Sequence, residues 1–178
     1  MKKTLITILV TVLVCGSVFG TTLALLMDST DPITNTFTVG DISIELKETT
    51  TDYKMVPGNE IAKDPKVTVS TDSEDCWLFV KIEETNNPTN YLDYTIASGW
   101  TALEGKTGVY YRQVTDLSNE KGVALSVLTG DKVTVKSTLT KDALATAKTA
   151  QPQLTFTAYA VQMDNVATAA AAWANFES

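Results

Sequence analysis

The chain of 178 residues predicts an all-β fold: a jelly-roll-like antiparallel β-sandwich with a short alanine-rich C-terminal helix, preceded by a signal peptide. Three observations carry this. Threonine, β-branched and strand-favouring, is used throughout. Short runs of alternating apolar and polar residues recur at regular spacing with turn residues between them, the pattern of a sandwich or jelly roll. An uncharged apolar stretch follows two lysines at the N-terminus.

That first stretch is read as an address. Lys2 and Lys3 form a positive start, and Leu5 to Phe19 an apolar centre. Thr22 and Ala24 occupy the −3 and −1 places of a cleavage site that leaves Leu25 as the new terminus. The division is therefore a signal peptide over 1–24 and a single β-sandwich domain over 25–178. The alternative is an uncleaved anchor, because about 20 apolar residues suffice to span a bilayer. Contact with a membrane is expected only through this uncleaved segment.

The strands follow in order. From Asn35 to Glu48, Phe37 and Val39 alternate with threonines, and after Gly40-Asp41 the pattern resumes at Ile42, Ile44 and Leu46. Tyr53 to Pro57 reads as a short strand turned at Gly58, and Lys66 to Ser70 alternates with Val67 and Val69 inward. Cys76 to Glu83 is apolar on most of both faces, with Trp77 and Phe79 opposed to Leu78, Val80 and Ile82. Such a strand belongs in the middle of a sheet covered on both sides. Asn86-Asn87-Pro88 breaks the chain. Tyr91 to Ile96 precedes a turn at Ser98-Gly99-Trp100, and Gly105 to Gly108 joins strands at Trp100–Leu103 and Val109–Val114. Further strands fall at Val123–Leu128 and Val133–Leu139, with a turn over Thr129-Gly130-Asp131-Lys132. Lys141 to Ala150 has helix-forming composition and stops at Pro152. Leu154 to Met163 is a last strand, and Asp164 or Asn165 caps a helix from Val166 to Phe176 that Trp173 anchors to the body.

Composition excludes several chemistries. There is no histidine, which removes Ser-His-Asp and Cys-His catalysis and histidine-containing zinc sites. The net charge is −7, and loss of Lys2 and Lys3 with the signal leaves 12 cationic side chains against 21 acidic ones, a charge of −9. That balance argues against a nucleic-acid partner. Hydrophobic residues make up 44% and charged residues 20%, enough for a packed core. Cys15 leaves with the signal, so Cys76 stands alone without an internal disulfide partner; burial is expected, an intermolecular disulfide being the alternative.

No catalytic constellation is legible, and neither an enzyme activity nor a cofactor is expected. The acids Glu83-Glu84 and Asp72, Glu74 and Asp75 read as solvated surface. The loop from Thr71 to Asp75 lacks the aspartate spacing of a calcium loop. Trp77, Tyr91, Tyr94, Trp100, Tyr110, Tyr111 and Trp173 read as core or hairpin residues, with a sugar-binding platform as the alternative.

Several segments in series carry a resemblance. They are Gly20-Thr21-Thr22-Leu23-Ala24 with Asp28, Asn35-Thr36-Phe37-Thr38-Val39-Gly40, Met55-Val56-Pro57-Gly58, Lys63-Asp64-Pro65 and Trp77-Leu78-Phe79-Val80-Lys81-Ile82. Gly99-Trp100, Gly108-Val109-Tyr110-Tyr111-Arg112, the run from Leu154 to Gln162 and the alanine-rich stretch ending in Trp173 complete it. The ordered series, over nearly the whole chain, resembles the TasA/camelysin family of Gram-positive exported proteins, and within it the alternate signal-mediated exported proteins.

The resemblance implies a jelly-roll sandwich, cleavage by a dedicated ER-type signal peptidase, and a place in an extracellular matrix or at the cell surface. It also implies a biofilm-matrix fibre subunit that polymerises with itself by donor-strand exchange and meets other matrix or cell-surface proteins. The donor would span Leu25, Leu26 and Met27 through Ile33, Thr34, Asn35, Thr36, Phe37, Thr38 and Val39. Closure of this strand on its own sheet is the alternative. The chain departs from the family in having Leu25-Leu26-Met27 where an aromatic pair usually stands. Other readings are a monomeric adhesin or carbohydrate-binding module, with Trp100 as an exposed reporter, and a secreted camelysin-type metalloprotease, which the missing histidine disfavours.

Overall fold

The computed structural model describes residues 42–49 and 54–177. The signal segment, its cleavage site, the donor segment and Tyr53 lie outside the described residues.

Among the described residues, ten strands and two α-helices follow one another: β1 (Ile44–Lys47), β2 (Glu60–Ala62), β3 (Lys66–Val69), β4 (Cys76–Thr85), β5 (Leu92–Asp93), β6 (Thr101–Ala102), β7 (Val109–Val114), β8 (Leu125–Ser126), β9 (Lys132–Val135), α1 (Lys141–Ala150), β10 (Gln153–Gln162) and α2 (Ala169–Trp173). All pairings among the described strands are antiparallel. They form three sheets, ordered β10-β4-β7-β6, β1-β3-β8 and β2-β9-β5. The fold is all-β with a short C-terminal helix.

The four-stranded sheet is built on β4, which pairs over its full length with β10, from Cys76 opposite Gln162 to Thr85 opposite Gln153. Successive side chains of a strand point to opposite faces. Leu78, Val80 and Ile82 therefore enter one core with Phe156, Ala158 and Ala160 of β10, Ile44 and Leu46 of β1, and Val67 and Val69 of β3. Trp77 and Phe79 enter a second cluster on the other face, with Val109, Val161, Ala169, Ala172 and Trp173. The two-faced apolar run of the sequence thus has its cause: one face packs against the smaller sheets, and α2 covers the other. Trp173 anchors that helix as expected, its ring 5.3 Å from Phe79 and 5.2 Å from Tyr159.

Turn chemistry sets the connections. Asn86 and Asn87 both adopt positive φ, and Asn86 Nδ2 donates to the Ala150 carbonyl at 2.6 Å, tying the end of β4 to the end of α1. The turn before β7 needs glycine at 108. Its φ is +75°, and a Cβ there would meet the Ile82 carbonyl oxygen at 2.4 Å. Thr140 caps α1 by accepting from the Ala143 N–H, and the αL residue Gln151 ends it.

Several boundaries differ from the sequence reading. Residues 54–57 are not a strand; the strand lies at Glu60–Ala62, after a turn at Pro57-Gly58. Val123–Leu128 shortens to Leu125–Ser126, Val133–Leu139 ends at Val135, and Tyr91–Ile96 keeps only Leu92–Asp93 and a bridge from Ile96 to Leu128. The last helix begins at Ala169 rather than Val166. Asn165 is in a turn with φ 62°, and the Val166 carbonyl accepts from Trp77 Nε1. The N-cap is Thr168, whose hydroxyl accepts from the Ala171 N–H, in place of Asp164 or Asn165.

Candidate assembly surface

Among the described strands, β10 is a long strand at a sheet edge. It is ten residues long and lies at the edge of its sheet, with β4 as its strand partner among the described residues. Its sequence, Gln-Leu-Thr-Phe-Thr-Ala-Tyr-Ala-Val-Gln, contains neither a charge nor a proline. Edge strands are usually short, charged, bulged or interrupted by proline, because a long regular edge is a template for another chain. Strand β1 runs beside β10, sharing the core through Ile44 and Leu46, and is itself an edge of the β1-β3-β8 sheet. The donor segment ends at Val39, five residues before β1 begins.

The acids singled out in the sequence are dispersed. Glu83 pairs with Lys81 at 2.8 Å, and Glu84 accepts from the Tyr94 hydroxyl at 2.6 Å. Burial first, and then Glu84, push the Tyr94 phenol up. Asp72 accepts from the Thr71 hydroxyl at 2.6 Å. Asp75 and Asp116 both hold Lys121, at 2.9 and 2.5 Å. The Lys121 hydrogen bond and the Asp116 N–H keep the Asp75 carboxyl below its ordinary range. Among the described residues, no three His, Cys, Asp or Glu side chains converge as metal ligands would.

The aromatic candidates do not form a platform. Trp77, Tyr91, Trp100 and Trp173 are buried, while Tyr94, Tyr110 and Tyr111 are half-buried. Trp100 is a core residue, as expected, and not the exposed reporter of the adhesin alternative. It packs into the sandwich core, donates from Nε1 to the Ser126 carbonyl at 2.9 Å, and carries the Arg112 guanidinium 5.4 Å from its ring centroid. The Cys76 thiol is fully buried, as expected, and burial pushes it up to about 12.

Three features went unread in the sequence. Arg112 forms a part-buried ion pair with Glu120 and stacks on Trp100. Lys63 and Glu48 form another at 2.7 Å, with Lys63 Nζ 5.1 Å from the Phe156 ring centroid. A cleft of about 530 Å³ opens beside that pair, walled by Met55, Ile61, Leu92, Val133, Pro152 and Leu154. Pairings across 8 and 15 positions leave no local sequence signal. The aromatic-to-arginine spacing from Trp100 to Arg112, across a recognised hairpin, was the one clue available.

No protein-family model, curated protein or solved structure matches this chain.

Proposed function

We propose that this chain is an exported structural subunit of an extracellular, biofilm-matrix-type fibre of the TasA/camelysin kind. In this reading residues 1–24 are removed by an ER-type signal peptidase, and the body is a jelly-roll sandwich. The segment from Leu25 to Val39 of one subunit then adds as a strand to the sheet of the next. The observation that carries the reading is the uncharged run from Leu154 to Tyr159 on the edge strand β10, which offers a neighbour regular backbone pairing and alternating side chains. The ordered sequence resemblance supports it, and the surface position follows from export.

The test is assembly. Chain exported by a Gram-positive host is sequenced at its N-terminus and viewed by negative-stain microscopy, beside a variant lacking 25–39. The expected result is a terminus at Leu25, filaments from the parent and none from the deletion. A parent that stays monomeric across concentration, salt and pH would overturn the proposal, as would a deletion that still polymerises.

A further inference from the structure

The connection between β7 and β8 presents Leu117 to solvent, 92% exposed, the most exposed large apolar residue among those described. This is a built turn. The Thr115 hydroxyl accepts from the Ser118 N–H while Ser118 Oγ accepts from the Thr115 N–H, a reciprocal cap at both ends of the turn. The Asp116 N–H donates to Asp75 at 2.9 Å, and Lys121 clamps Asp75 and Asp116 together. Val123 nearby is also exposed. Five hydrogen bonds and ion pairs therefore hold the turn that presents this apolar side chain to solvent.

The cleft, lined by apolar side chains together with Glu48, Lys63, Lys148 and Gln153, lies at the other end of β4. Leu117 follows Val114, which pairs with Cys76 at the start of β4. The cleft is lined by Gln153 and Leu154, which pair with Thr85 and Glu84 at the end of β4. Nine strand steps of about 3.3 Å separate the two by about 30 Å. The charges at the two ends also match. Asp75 and Asp116 outnumber Lys121 beside Leu117, with Asp72 and Glu74 on the adjoining loop. At the cleft Lys63 is balanced by Glu48, and Lys148 on the exposed rim adds a net positive charge.

We infer that Leu117 of one copy of this chain seats in the Met55–Ile61–Leu154 cleft of the next. A knob and a pocket at opposite ends make a heterologous contact, which repeats without closing and generates a filament rather than a dimer. This rests on the fibre reading and adds a second, side-chain contact to its strand exchange. It also selects the occupant of the cleft: a leucine on an acidic turn of a second subunit.

Disulfide trapping tests it. In full-length chain carrying Cys15→Ser, the remaining native thiol, Cys76, is buried and inert. Leu117→Cys and Gln153→Cys variants are oxidised separately and as a mixture. The mixture is expected to give the 117–153 linked dimer as its main product, and the double variant a covalent ladder. Leu117→Asp, which alters no packed side chain, is expected to reduce filament yield at least tenfold with an unchanged circular dichroism spectrum. Filaments that form normally with Leu117→Asp and yield no 117–153 link refute the contact while leaving the fibre reading intact. Dominant 117–117 dimers refute it too, since they report a symmetric contact. A 117–153 link in chains that never form filaments upholds the contact and ends the fibre reading.

Discussion

Trp173→Ala measures how much of the fold depends on the covering of the outer face of β4. The indole is 5% exposed and touches the rings of Phe79, Tyr159 and Phe176 at centroid separations of 5.3, 5.2 and 5.6 Å. An aromatic side chain of this size buries about 150–250 Å², which at about 25 cal/mol per Å² gives about 4–6 kcal/mol before the alanine methyl is credited. Measured Trp→Ala costs in cores fall at about 3–5 kcal/mol, in agreement. A terminal helix of five residues can respond by undocking, and that would bare Phe79 and Ala172, both now fully buried. Undocking therefore offers no cheap escape, and about 3 kcal/mol is the floor. Urea unfolding followed by far-UV circular dichroism reads the loss as a shift in midpoint. Hydrogen exchange at the Ala172 amide, bonded to the Thr168 carbonyl, reads undocking directly. A loss below about 1 kcal/mol with Ala172 still protected would refute the reasoning, because the ring cluster would then contribute little to stability.

Three further outcomes follow from individual contacts. Gly108→Ala is expected to cost more than Gly105→Ala in urea midpoint: both have positive φ, but only at 108 does a Cβ strike backbone, at 2.4 Å, while at 105 it meets nothing within 4 Å. The Cys76 thiol should resist a disulfide-exchange reagent at pH 8 in the native protein and react at once in urea, followed by absorbance; equal rates would contradict its burial. Stability should hold from neutral pH down to the ordinary aspartate value of 3.8 and fall below it, because hydrogen bonds from Thr49 depress Asp64 and those from Lys121 and the Asp116 N–H depress Asp75. A depressed folded-state carboxylate contributes stability above its unfolded value, lost as pH drops through the folded one, and Asp75→Asn should flatten part of that fall in acid unfolding curves.

The sequence carried the fold where local rules and burial agree. Val109–Val114 and Lys141–Ala150 appear with the expected bounds, because a glycine turn opens one and Thr140 and Pro152 bracket the other. The two-faced run at Cys76 predicts a covered central strand, and both covers are there. Local rules missed what distant partners decide. Glu60–Ala62 is three residues with no alternation, and it is a strand because Val133 lies opposite Ile61. The final helix starts late because Trp77, 89 positions away, holds the Val166 carbonyl outside it. Trp100 is a core residue as expected, but the part-buried bond to Ser126 and the Arg112 stack that hold it there join distant positions and have no local signal. The cleft and the Leu117 turn are products of topology, so neither has a motif.

Charge and edge together pose a problem that a fibre subunit would have to solve. A charge of −7, or −9 without Lys2 and Lys3, makes copies repel one another, while β10 offers an edge with no charge of its own to prevent pairing. Repulsion between whole molecules acts over a Debye length of about 10 Å at 0.1 M salt and about 3 Å at 1 M, whereas backbone pairing acts only in contact. The net charge thus controls how often copies meet, and the edge controls whether a meeting lasts. Polymerisation should therefore quicken with added salt without any change in the finished filament. The same acids placed on β10 itself would abolish pairing at every salt concentration. A single Thr157→Glu substitution, at a half-buried position on that edge strand, separates the two effects: it barely alters the net charge but sets a carboxylate within the run from Leu154 to Tyr159.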